Sequence, residues 1–252
     1  MDIDARIRNL AAAVGGSSVE QHLLRDEVVV VSPHQTQHPG ASTPLVVILG
    51  VVGKATRVAY FKRFRDQFPL CVHYGHDRIE APINEVVAWR LASAMGDPWR
   101  QMVPASVLRK IGGFGGALVN EVPGEAYANT ALDCGNDQVD AAAFWDALIG
   151  NQDRNLGNFR YDNTTGQLGL IDHAFSFARP GDLANSSVYL TVRHHAGRAA
   201  MSSHEHTAVE LLLRSADLLG LRRYLASDRA DALEARARAM AAAGQLPGSG
   251  VF

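Results

Sequence analysis

The sequence predicts an α+β chain in two parts, a smaller sheet-containing lobe over residues 1–122 and a mainly helical lobe over residues 123–252. Three observations carry that prediction. Strand-like runs rich in β-branched and aromatic residues crowd the first half, apolar residues at helical spacing dominate the second, and the change of character falls between Val122 and Ala128. At 252 residues the chain can bury a substantial core, as one large domain or as two lobes.

The elements follow in order. "MDIDARIRNLAAAVGG" sets Ile3, Ile7, Leu10 and Val14 on one helical stripe, with Asp4 near its start and Gly15-Gly16 as its stop. "EVVVV" at 27–31 reads as a strand, followed by the polar loop "SPHQTQHPGAST". "PLVVILG" and "TRVAYFKRF" bracket the turn "VVGKA" and predict a hairpin. In "PINEVVAWRLASAMGDP", Ile83, Val87, Leu91 and Ala94 form a helical stripe that Gly96 and Pro98 end. "VPASVLRKIGGFGGALVNEVPGEA" gives two strands around a glycine-rich turn. In the second half, "DQVDAAAFWDALIG" predicts a helix stopped by Gly150, and "NFRY", "DNTTGQ" and "LGLID" predict a small hairpin. Helices around "HTAVELLLRSADLLG" and "DRADALEARARAMAAAG" follow, and "QLPGSGVF" reads as a loose tail.

Composition narrows the function classes. Apolar residues at 47% with 20% charged fit an ordinary globular protein, and a dispersed net charge of −2 gives no footprint for nucleic acid. Cys71 and Cys134 stand far apart without metal-binding spacing, and no signal peptide opens the chain, so a cytoplasmic setting is expected. The longest aliphatic run, "PLVVILGVV", is too short to cross a bilayer, and no stable membrane insertion is expected.

The chemistry concentrates in "GNQDRNLGNF" at 150–159 and the segment that ends in Asp172. Asp153 and Asn158 precede the first strand of the small hairpin and Asp172 follows its second, so strand pairing brings the three oxygen-bearing side chains to one end of the unit. Mg²⁺ takes hard oxygen ligands and keeps several waters, which one carboxylate and one amide oxygen satisfy: Asp172 and Asn158. Asp153 is then the carboxylate left to orient the proton of an attacking hydroxyl.

These segments, "GNQDRNLGNF" and "LGLIDHAFSF", resemble the catalytic and metal-binding loops of the kinase-superfamily branch that contains phosphatidylinositol kinases and HipA-type protein kinases. The resemblance covers most of the chain and implies a two-lobed protein-kinase-like fold that uses ATP and Mg²⁺. It implies a strand lysine for the α- and β-phosphates, Lys62 in "RVAYFKRF", and a helix glutamate to hold it, Glu85 in "INEVVAWRLA". "GALVNEVPG" falls where the interlobe hinge belongs, so backbone groups around Asn120, Glu121 and Val122 would meet adenine. Arg154 either contacts a phosphate or orients the loop, and loop orientation is favoured. The pattern differs from ordinary protein kinases, which carry Arg before the catalytic aspartate and Asp-Phe-Gly at the second loop. No G-x-G-x-x-G precedes Lys62; "SPHQTQHPGAST" and "GVVGKA" are the candidate phosphate-covering segments, with Lys54 as a competing phosphate ligand.

The acceptor is open. The HipA-like resemblance favours a protein Ser/Thr, and the segment after Asp172 offers Ser176, Ser186, Ser187 and Thr191 for self-phosphorylation. A lipid headgroup is the alternative, for which Arg179, Arg193 and Arg198 are few basic residues. A nucleotide-binding pseudokinase scaffold and adenylyl transfer with a reversed nucleotide are the others. On its own, Lys62 reads as a solvent-facing strand lysine and Glu85 as a helix-start charge. His194, His195, His204 and His206 match no common zinc spacing, and His173 reads as a packing or hydrogen-bonding residue.

Overall fold

The computed structural model describes residues 18–33, 44–50, 57–64, 71, 73–77, 79–125, 134–180, 182 and 186–248. The helix expected over residues 3–14, the polar loop at 34–43 and the turn that holds Lys54 lie outside the described residues. The chain divides into two compact units, Met1–Val86 with Pro104–Glu121, and Val87–Val103 with Val122–Phe252. The division is therefore not the single cut near residue 122 that the change of composition suggests.

The first unit is built on a five-stranded antiparallel sheet in the order β1-β2-β3-β5-β4. Its strands are β1 (Glu27–Pro33), β2 (Leu45–Gly50), β3 (Arg57–Arg63), β4 (Ser106–Ile111) and β5 (Phe114–Asn120). Alternation sets the register. Val47 and Leu49 of β2 and Ala59 and Phe61 of β3 turn to the core at every second position, and Val47 pairs with Ala59. A helix not expected from the sequence, α1 (Ser18–Arg25), packs on β4 and β5. The Arg109 guanidinium on β4 donates to the carbonyls of Leu23 at 2.9 Å and Asp26 at 2.7 Å, satisfying acceptors that a helix end leaves open.

Helix α2 (Glu80–Met95) contributes Glu80–Val86 to the first unit and Val87–Met95 to the second. Ile83, Val87 and Leu91 are buried as the spacing predicts, but Ala94 is exposed and burial runs almost all round the helix from Ala81 to Trp89. A helix whose two halves serve different cores has no reason to keep one continuous stripe.

The second unit centres on α4 (Asn136–Ile149), buried without a break from Ala141 to Ile149 and closed by Gly150 in the left-handed region. The short α3 (Trp99–Met102) precedes it in the chain, with the Trp99 indole N–H donating to Ala141 O at 3.0 Å. The hairpin β6 (Phe159–Asp162) and β7 (Gln167–Leu170) forms in register as expected. Helices α5 (Val188–His195), α6 (Ser203–Arg214) and α7 (Ser227–Ala243) complete the unit.

Three local differences from the sequence have physical causes. The β-branched run "VYLTV" hides α5, which Ser187 starts by accepting from Leu190 N–H at 3.2 Å. The helix expected to run through Gly220 stops at Arg214, because Ser215 Oγ takes Leu219 N–H at 2.8 Å and Asp217 Oδ1 takes Gly220 N–H at 3.0 Å. The described part of the tail is docked rather than loose, with Leu246 buried and its N–H bonded to Ala199 O at 2.9 Å.

Gly116 on β5 allows β3 to lie close beside it, since a Cβ there would sit 2.3 Å from Lys62 O. Gly116→Ala should cost about 1–3 kcal/mol by overpacking. The melting temperature should drop by about 2–4 °C for each kcal/mol; an unchanged melting curve would contradict this account of the strand contact.

Candidate active site

In the first unit, Lys62 lies near the end of β3 and Glu85 in the second turn of α2. Strand alternation turns Lys62 away from Phe61, onto the face where α2 meets it. Its Nζ donates to Glu85 Oε1 at 2.5 Å, with Lys62 8% and Glu85 1% exposed. The reading of Lys62 as a solvent-facing lysine therefore does not hold. Two charges taken out of water cost more than most pairs return, so a buried strand-to-helix ion pair is weak evidence of stabilisation alone and directs attention to what it positions.

At the end of the same sheet, the N–H of Asn120 is bonded to Ala105 O at 2.8 Å and that of Glu121 to Val58 O at 3.2 Å. Both amides are committed within the sheet. Val122, which opens the next stretch of the second unit, makes no backbone hydrogen bond among the described residues and lies against Gly169, where a Cβ would meet Val122 Cγ1 at 2.2 Å.

In the second unit the polar loop leaves α4 at Gly150. Asp153 N–H bonds to Asn151 Oδ1 at 2.9 Å, and Asn158 donates its Nδ2 to Asp153 O at 2.5 Å and to Asp153 Oδ2 at 3.2 Å. Asn158 O in turn accepts Ile171 N–H at 3.1 Å, so the residue before Asp172 is tied to the loop that holds Asp153. Hairpin β6–β7 thus ties the loop of Asp153 and Asn158 to the backbone just before Asp172. Asp172 has φ +58°, a left-handed conformation that a non-glycine residue keeps only when its surroundings impose it and that gathers at functional sites.

Arg154 explains that imposition. It is 1% exposed, its Nε donates to both Asp146 oxygens at 3.2 Å, and its Nη1 donates to the carbonyls of Asn158 and Ile171. One guanidinium thereby fixes the backbone beside both candidate metal ligands. Arg154 is thus enclosed, with its Nε engaged by Asp146 and its Nη1 by the two carbonyls. Asp146 also accepts from Ser187 Oγ at 2.7 Å and Asn151 Nδ2 at 3.3 Å.

Sequence reasoning passed over Asp146, although a lone carboxylate inside the apolar run "AAAFWDALI" is a signal of a paired buried charge. It also passed over Arg229 and Arg236 of α7. Arg229 donates to Phe177 O at 3.0 Å, and Arg236 donates to Leu148 O at 3.0 Å, Ile149 O at 3.3 Å and Ala178 O. Burial, with the nearby charge of Arg229, pulls the Arg236 guanidinium down to about 10. His173 is buried and accepts the Trp145 indole N–H at Nε2, 3.2 Å away, which makes it a hydrogen-bonding residue as expected.

The donor set suits a hard divalent cation. Asn158 turns its nitrogen to Asp153, so its amide oxygen and the Asp172 carboxylate are the groups that could hold such an ion. Of the histidines, His204 is stacked on Trp99 at 4.9 Å and His194 Nε2 lies against Pro247 O at 2.7 Å. Of the candidate phosphoacceptors, Ser176 and Ser187 are buried and Thr191 donates to Ser187 O, while Ser186 is exposed.

No family model matches the chain, and no curated protein matches it. Solved structures similar to it include the Helicobacter pylori proinflammatory kinase CtkA, at 9% identity and a TM-score of 0.46, covering 88% of this chain and 95% of that one. The Rio2 kinase of Chaetomium thermophilum, in an ADP/Mg²⁺–phosphoaspartate complex, is similar at 10% identity and a TM-score of 0.38, covering 90% and 75%. An erythromycin-bound Mycobacterium tuberculosis protein is similar at 14% identity and a TM-score of 0.34, covering 71% and 53%.

Asp146→Ala should leave Arg154 as a buried charge without its carboxylate and lower the unfolding free energy by about 3–5 kcal/mol. Urea titration reads this directly; a loss under about 1 kcal/mol, the range of exposed pairs, would contradict the assignment.

Proposed function

We propose that this chain is an ATP- and Mg²⁺-dependent phosphotransferase with a protein Ser/Thr hydroxyl as acceptor, of the HipA-like kind that its loops resemble. The observation that most supports this reading is the buried Lys62–Glu85 ion pair in the first unit, found together with the Asp153, Asn158 and Asp172 arrangement in the second. Lysine, glutamate, aspartate, asparagine and aspartate occur in the order that phosphoryl transfer needs, and the lysine has the partner that it needs.

In this reading the Lys62 ammonium binds the α- and β-phosphates, and Glu85 holds it extended toward them. Asn158 Oδ1 and the Asp172 carboxylate would hold Mg²⁺, which when bound neutralises charge on the phosphates. The backbone of Val122 meets the adenine. The acceptor oxygen bonds to the γ-phosphorus as the bond from that phosphorus to the β,γ-bridging oxygen breaks. ADP leaves with that electron pair, and the hydroxyl proton passes to the Asp153 carboxylate. The site works by alignment and charge compensation, for which carboxylates, an amide and a lysine suffice without a covalent intermediate.

Protein is favoured over lipid as acceptor by the fate of the basic residues near the acceptor segment. Arg179 pairs with Asp182 and Asp228, Arg193 with Glu205, and Arg198 with Asp140, so none presents an uncompensated charge to an anionic membrane.

Incubation with γ-labelled and, separately, α-labelled ATP plus Mg²⁺ and a Ser/Thr peptide pool, followed by intact-mass analysis, tests the reading. Gain of a phosphoryl group supports it; gain of AMP points to adenylyl transfer, and nucleotide binding without labelling to a scaffold. Asp153→Asn should keep ATP affinity and cut turnover by about tenfold or more. Asp172→Ala should weaken Mg²⁺-dependent nucleotide binding in titrations, and unchanged binding contradicts its role.

A further inference from the structure

The Asp153 carboxylate is held by two side-chain amides, not one. Asn158 Nδ2 reaches Oδ2 at 3.2 Å, and Asn155 Nδ2 donates to Oδ1 at 2.9 Å. We propose that Asn155 is a positioning residue for phosphoryl transfer, which fixes the rotamer of Asp153 and selects the lone pair that meets the acceptor proton. The inference rests on Asp153 being the carboxylate that receives that proton.

Asn155 is exposed, where a single hydrogen bond competes with water and is worth little to folding. Its side chain, however, is secured at both ends. Oδ1 accepts Gly157 N–H at 2.8 Å while Nδ2 reaches Asp153, and the Asn155 N–H itself bonds to Asp153 O at 2.9 Å. Rotamer freedom is thus surrendered once for two contacts, and the amide cannot swing away from the carboxylate without also leaving Gly157.

The chemistry explains the amide. A cationic donor bonded directly to a carboxylate that is to take a proton would favour its ionised form and weaken it as a base, a cost that an amide donor does not add. The two amides orient Asp153 as neutral donors. A lysine or arginine at residue 155 would orient Asp153 at the expense of its basicity.

A purely local role as a turn residue is the competing explanation, and two substitutions separate them. Asn155→Asp preserves the oxygen that accepts Gly157 N–H but loses the donor to Asp153; Asn155→Ala loses both. With Asp153→Asn as reference, kcat and KM for ATP are measured for each variant alongside its melting temperature. Positioning predicts that both Asn155 variants lose about tenfold or more in kcat, with KM for ATP within about twofold and melting within a few degrees of the parent. Loss in Asn155→Ala with parental kcat in Asn155→Asp means a turn residue only and overturns the proposal, as does parental kcat in both. A melting collapse accompanying the loss in both variants also overturns it. Parental turnover in Asp153→Asn would instead remove the reading of Asp153 on which the proposal stands.

Discussion

A single guanidinium sets the geometry of the second unit's polar loops. Arg154 is enclosed by protein, where a charge without partners is untenable, and its partners are drawn from three stretches of chain: Asp146 on α4, Asn158 at the start of the hairpin and Ile171 at its end. Because those carbonyls belong to Asn158 itself and to the residue before Asp172, satisfying Arg154 and placing the two side chains are the same event. The left-handed backbone of Asp172 follows from this: its strain is offset by the bonds on the residue before it.

The same device recurs. Arg229 and Arg236 reach from α7 to the carbonyls of Phe177, Leu148, Ile149 and Ala178, the backbone that enters the polar loop and leaves the Asp172 segment. Irregular backbone inside a protein must find donors for its carbonyls, and planar guanidinium groups with several N–H bonds meet that need better than water in a confined space. The second unit therefore keeps the stretch 173–178 buried without a helix or strand of its own.

What the sequence made legible were features with short-range causes. The β2–β3 and β6–β7 hairpins follow from alternation and turn residues, and the ends of α4 and α7 from Gly150 and Gly244. The tie between the loop at 153–158 and the end of the hairpin at Ile171 was readable because hairpin pairing is itself local. Less accessible were properties decided by distant partners: the burial of Lys62 depends on Glu85, and the role of Arg154 on Asp146. A lysine in a strand looks the same in sequence whether it meets water or a carboxylate. Arg229 and Arg236 left a trace, for they share with Leu233 and Met240 the buried stripe of α7, an unusual place for cations. Helix α5 was hidden because "VYLTV" has the composition of a strand, and only a capping serine and tertiary packing make it helical.

The reach of Arg236 has a bearing on how the protein is made. Its contact with Leu148 spans 88 positions of sequence, so a ribosome adding about 5–20 residues per second brings it out roughly 4–18 s after the loop it secures. During that interval the nascent segment from Ile149 to Ala178 has carbonyls with no arginine to claim them. The final shape of this backbone is therefore acquired late in translation, and a chain released early would carry every residue of the loop without it.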